Sequence, residues 1–220
     1  MRRPRVDLPR APTAVEPVTV HRYHTSHAWE QQQAALLTDL WRAWWPGVDR
    51  LPVTDADTQR AGVDAVLTGP TCAQPFAVEV EEKIRSHDYG DVLLEVVSND
   101  QAMTPGWAVK GARSKLLLYA WAPTRRGFVF PMQTVQRVTR ANADLWLARF
   151  GVRLAKNDGY TSHNVPVPLS VFAHAIDQAH GIVFCPACRM VCDWSDLRGP
   201  SWCSMCRPAA AFEVRLETTA

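Results

Sequence analysis

The order of hydrophobic patterns along this chain predicts an α/β fold: a central mixed β-sheet flanked by helices, with a small cysteine-rich appendage behind it. Three observations carry that prediction. An apolar stripe at three- and four-residue steps comes first. A series of short alternating or continuous apolar runs follows, and then two more helical patterns. Last, five of the six cysteines crowd between 185 and 206.

The first stripe runs from Ser26 to Trp45, where Trp29, Leu36, Leu37, Leu40, Trp41 and Trp44 share one helical face, Ser26 is placed to cap the start and Pro46-Gly47 ends it. A polar connection leads to a short predicted strand over 61–67, closed by Gly69-Pro70. The run from Phe76 to Arg85 alternates: Phe76, Val78, Val80 and Ile84 point one way, Glu79, Glu81, Lys83 and Arg85 the other. Asp91–Val97, Lys115–Trp121 and Phe128–Phe130 read as further strands, and the near-continuous apolar run of 115–121 predicts burial on both faces. Helices are predicted from about Gln133 to Arg149, with Val135, Val138, Asn142 and Leu145 on one side, and from Pro168 to Ala179, stopped by Gly181.

A composition of 47% hydrophobic and 21% charged residues is that of a globular chain, and the net charge of +2 neither requires nor excludes a polyanionic partner. No apolar run is long enough to span a bilayer, and the N-terminus lacks the apolar stretch of a secretory signal, so an intracellular protein without a membrane partner is expected. Residues 1–20, with four Arg and four Pro, read as a flexible basic arm: either a solvated tail or a segment that touches nucleic-acid phosphates. The core is expected over 21–180, the appendage over 181–210 and a tail over 211–220.

Within the appendage, Cys185-Pro186-Ala187-Cys188 and Cys203-Ser204-Met205-Cys206 are separated by fourteen residues. Two such knuckles predict a zinc ribbon in which Cys185, Cys188, Cys203 and Cys206 hold a structural Zn²⁺ as thiolates. So short a segment draws its folding free energy from the metal. Cys192 could replace one ligand or sit beside the site. Trp194 and Trp202 could cover the metal or stack on a base.

The polar face of 76–85 is the principal chemical clue. Glu79, Glu81 and Lys83 lie side by side on it, with Asp64 on the preceding strand. Acids on one face of a buried sheet are costly unless a cation balances them. Mg²⁺ would do so while keeping several waters, although alternating charge on a strand also marks a plain solvent-exposed face. Asp64, sixteen residues, then Glu81-Glu82-Lys83 at a strand end resembles the PD-(D/E)XK nuclease superfamily, whose core is restriction-endonuclease-like. The flanking text is similar too: a first helix bearing Glu30, a strand with Glu95, and Pro105-Gly106-Trp107 ahead of 115–121. The resemblance covers roughly residues 20–180. It implies a phosphodiesterase that cuts nucleic acid, by the superfamily's habit DNA, with Mg²⁺ or Mn²⁺. Asp64 and Glu81 would hold the metal with help from the Glu82 carbonyl. Lys83 would orient or deprotonate the attacking water, and Glu30 would bind a metal-bound water or a second ion. A homodimer is compatible with it, since two strands need cutting, but no dimer surface is legible.

The same stretch also aligns as Glu79-x-Glu81, which would make Glu79 the ligand and leave Lys83 one pleat too far; the Glu81–Lys83 register is preferred. In that register Lys83 has to reach back for activity, and the rival reading is a catalytically inactive nucleic-acid- or protein-binding module that keeps the nuclease fold; a third is a zinc-stabilised protein-interaction module with no nucleic acid. His21, His24 and His27 fit surface positions at a helix entry better than a metal trio. His87 and Asp88 could approach substrate phosphates, Arg113 and Lys115 could line a groove, and Cys72 lies alone in a loop. His163 and Asn164 are assigned no role. There is no nucleophile elbow and no P-loop.

Overall fold

A computed structural model of the chain describes residues 19–20, 23–70, 75–179, 182–184, 191–193 and 212–216. The basic arm (except residues 19–20), His21, Cys72, Gly181, Trp194, Trp202 and the four paired cysteines lie outside the described residues. The elements are β1 (Thr19–Val20), α1 (Tyr23–Gln32), α2 (Ala34–Trp44), β2 (Asp49–Pro52), α3 (Ala56–Arg60), β3 (Ala65–Pro70), β4 (Pro75–Arg85), β5 (Asp91–Asn99), β6 (Thr104–Pro105), β7 (Leu116–Trp121), β8 (Arg126–Pro131), α4 (Met132–Phe150), β9 (Arg153–Lys156), β10 (Thr161–Pro168), α5 (Leu169–Gln178), β11 (Ile182–Phe184), β12 (Val191–Asp193) and β13 (Phe212–Arg215). The fold is mixed α/β, as the pattern predicts.

The main sheet has six strands in the order β13-β8-β7-β4-β3-β2. β4 and β7 run parallel, with Glu81 opposite Leu117, and every other neighbouring pair is antiparallel. A parallel pair needs a crossover. Here the crossover carries β5 into a second, five-stranded sheet of order β1-β9-β10-β5-β6. The expectation of one central sheet containing Asp91–Val97 is therefore corrected: β5 pairs with β10, Val165 opposite Leu94, and not with the main sheet.

One face of the main sheet is covered by α2. Leu36, Leu37, Leu40, Trp41 and Trp44 of the predicted stripe are buried there against Ala65, Leu67, Val80, Leu116 and Leu118. Trp29 is only half-buried. The predicted first helix starts three residues before Ser26, at Tyr23, and is broken in two at Gln33, where ψ near 2° departs from helical geometry. The opposite face, with Leu117, Tyr119, Trp121 and Phe130, packs on Val92 and Leu94 of β5, Val165 and Val167 of β10, and α4 and α5. All six residues of β7 are buried, as expected of its apolar run.

Several expectations fall differently. Leu145 of α4 is 52% exposed and Trp146 takes the buried place, because 135, 138, 142 and 146 keep to one face while 145 is rotated about 100° from 146. Val63 and Asp64 precede β3 in a turn rather than lying within a strand. The segment 49–60, read as a connection, forms β2 and α3, and 161–168 forms β10 despite its two prolines. Phe212–Arg215, assigned to a tail, pairs with β8.

Candidate active site

Period-2 alternation puts Glu79, Glu81, Lys83 and Arg85 of β4 on the face away from α2. Asp64 reaches the same place because its amide donates to Val80 O at 2.8 Å, anchoring the turn ahead of β3 beside β4. Lys83 Nζ lies 2.6 Å from Glu81 Oε1 and 3.5 Å from Asp64 Oδ2. Asp64 Oδ2 also accepts from the Glu82 amide at 2.8 Å. Glu81 is 3% exposed, and its Oε2 has no hydrogen-bond partner among the described residues. These groups line a cleft of about 410 Å³, to which Glu30, Gln59, Arg85, Glu95, Trp107, Lys110, Tyr119 and Asn164 also contribute.

The structure thus brings Asp64, Glu81 and Lys83 together, with Glu30 on the cleft wall. It does not bring Glu79, whose carboxylate is gripped by Arg113: Nε donates to both oxygens at 2.8 Å and Nη2 closes a second contact. That pairing holds Glu79 below the usual carboxylate range and gives Arg113, just ahead of β7, a partner on β4. His24 and His27 fall within α1. Asn164, assigned no role from sequence, is buried in the cleft wall opposite Glu95.

Lys83 feels two opposing effects. Burial pushes its ammonium pKa down, but Asp64, Glu81 and Glu30 outweigh burial and hold it well above its ordinary value. As an ammonium donor between two carboxylates, it is placed to offset charge and orient water.

Glu82 points the other way, into the apolar face. Its carboxylate accepts from Trp41 Nε1 at 2.7 Å and takes a bidentate clamp from Arg50, Nε at 2.7 Å and Nη2 at 2.6 Å. Both side chains are almost fully buried. Removing one partner of such a pair costs about 3–5 kcal/mol, because the other charge is left uncompensated. An acid at an apolar-parity position was the available sequence signal, and it says nothing about which cation answers it.

Mg²⁺ takes oxygen ligands from one or two carboxylates and fills the rest with water. Asp64, one-third exposed, and Glu81, with a buried unpartnered oxygen, fit that donor set. Among the described residues no three His, Cys, Asp or Glu side chains converge to hold a metal unaided, so carbonyl or water oxygens would complete any shell. No helix among the described residues is long and apolar enough to cross a membrane. No protein-family model, curated protein or solved structure matches this chain.

Proposed function

We propose that this chain is a metal-dependent nuclease that hydrolyses phosphodiester bonds of DNA, with a PD-(D/E)XK arrangement formed by Asp64, Glu81 and Lys83. The observation that carries the reading is the Lys83 ammonium held between Asp64 and Glu81 while the second Glu81 oxygen stays buried and unpartnered. A buried carboxylate oxygen without a partner is costly, and a cation in the cleft would relieve it.

In this reading Asp64 and Glu81 would hold Mg²⁺ or Mn²⁺, and the bound ion would supply Lewis acidity toward a phosphoryl oxygen and water. The Glu82 amide fixes the Asp64 carboxylate in place. Lys83 keeps its proton, orients the attacking water and offsets charge developing on the phosphate. Glu30, on the α1 side of the cleft, adds a carboxylate toward a metal-bound water or a second ion.

The test is cleavage of supercoiled plasmid and branched DNA with Mg²⁺ or Mn²⁺. Asp64→Asn, Glu81→Gln and Lys83→Ala are each expected to lower the rate about a hundredfold or more, and Glu79→Ala to leave it near the parent's. Cleavage that survives Asp64→Asn would sink the assigned site. A second reading, a nucleic-acid-binding module without catalysis, is favoured by the Lys83 ammonium already occupying the space between the two carboxylates. Binding without cleavage in either metal would promote it.

A further inference from the structure

The connection from β4 to β5, residues 86–90, exposes two aromatic rings side by side. Tyr89 is 61% exposed, and its ring lies 5.7 Å from that of His87 with the planes only 11° apart. Ser86 Oγ sits 2.9 Å from His87 Nδ1 and fixes the imidazole. The guanidiniums of Arg85 and Arg153 each stand 5.5 Å from the centre of the Tyr89 ring.

This turn is held rigidly. The Gly90 amide donates to Asp88 Oδ1 at 3.0 Å, and Gly90 takes φ of +70°, which favours glycine. Gly90 O accepts from the Leu169 amide at 2.9 Å. Asp88 Oδ2 accepts from Arg126 Nε at 3.0 Å and Thr124 Oγ1 at 3.2 Å, tying the turn to β8 and the residues before it. A large exposed aromatic on a fixed turn gains nothing from hydration, yet it offers a partner a surface whose ordering is already complete.

The platform is continuous with the candidate active site. Arg85 lines the cleft two residues beyond Lys83 on the same strand face, about 7 Å further along, and it also leans over Tyr89. Arg85 and Arg153 both contact the Asp91 carboxylate, which holds their guanidiniums beside the Tyr89 ring. Flat π-faces next to a cation are the complement of a base attached to a phosphate. In an intact duplex both faces of a base are covered by its neighbours, and only an unpaired base can offer one.

We propose that the His87–Tyr89 pair is a stacking platform for an unpaired base of a DNA strand whose neighbouring phosphate lies in the cleft beside Lys83, so that the protein takes single-stranded or frayed DNA in preference to intact duplex. The choice of DNA rests on the nuclease reading; the platform itself rests on the turn.

The experiment is fluorescence anisotropy with a labelled single-stranded oligothymidine and a blunt duplex of equal length, in buffer without added Mg²⁺ or Mn²⁺ so that cleavage plays no part. The full-length protein is expected to bind the single strand more tightly. Tyr89→Ala should weaken that binding about fivefold to a hundredfold, the worth of one stacked base, and leave duplex binding and the unfolding midpoint unchanged. Tyr89→Trp and Tyr89→Phe should restore single-strand binding, since any aromatic ring presents a π-face. The proposal is overturned if Tyr89→Ala binds the single strand as the parent does. It is equally overturned if both DNA forms weaken together, or if Phe and Trp fail to restore binding. Cleavage is not read, so loss of the nuclease reading and loss of the platform give different results.

Discussion

Burial pushes the Glu95 carboxyl above the usual carboxylate range, and the fields of Lys83 and Lys110 with the Trp107 amide recover only part of that shift. A carboxyl raised in the folded state contributes stability fully below its unfolded value of about 4.3, and loses it as pH rises through the folded value. Above that unfolded value Glu95 therefore weighs against folding. Glu95→Gln is expected to raise the urea midpoint near pH 7, with the advantage shrinking below about pH 4. Equal midpoints at both pH values would contradict this. Lys83 is also raised, but its contribution persists up to its unfolded value of about 10.4, so it plays no part in the acid window. A polar group that destabilises the fold while lining a cleft is the usual signature of a functional position. The spacing of Glu81 and Lys83 showed that they share one strand face. Glu95 was visible only as a flanking resemblance, because nothing local marks a carboxylate that a distant Trp107 segment will bury.

The turn between α3 and β3 sets the geometry of the site. Gly62 takes φ of +80°, and a Cβ there would meet Glu81 Oε2 at 2.7 Å. Glu81 is too buried to swing clear without leaving Lys83. Gly62→Ala is thus expected to lower stability by about 1 kcal/mol or more through backbone strain and to reduce DNA cleavage beyond what stability explains. Thermal unfolding paired with the plasmid assay at a temperature where the variant is folded would check it; full cleavage would show that the Glu81 position is not critical. The strands β4, β7 and β8 and the helices α2, α4 and α5 were readable because period and length agree within each. The short α3 and β2 were not, since a polar five-residue helix capped by Asp55 has no apolar face to betray it.

At the scale of the whole molecule, the chain leaves α5, passes through the paired strands β11 and β12, and returns to the main sheet as β13 beside β8. In sequence, Cys185 and Cys188 fall between β11 and β12. Cys203 and Cys206 precede β13 in sequence. A zinc ion held by the four would cross-link chain segments ahead of β13 and so lower the entropic cost of bringing β13 beside β8. Purified protein is expected to carry about one zinc per chain by elemental analysis, and a chelator to lower its unfolding midpoint. Zinc-free protein with these thiols in disulfides would overturn the assignment.

Local periodicity, set by short-range geometry, determined by itself the α/β class, the face of β4 that carries Glu81 and Lys83, and the apolar stripe of α2. The tertiary structure alone decided that β5 joins a second sheet, that Glu82 is answered by Arg50, that Arg113 removes Glu79, and that Lys83 sits between Asp64 and Glu81. Each of those is a pairing across 17 residues or more of chain, or across one pleat whose outcome depends on such pairings. The reason is physical: a side chain's period reveals which way it points, whereas its partner depends on which distant strand the folded core brings alongside.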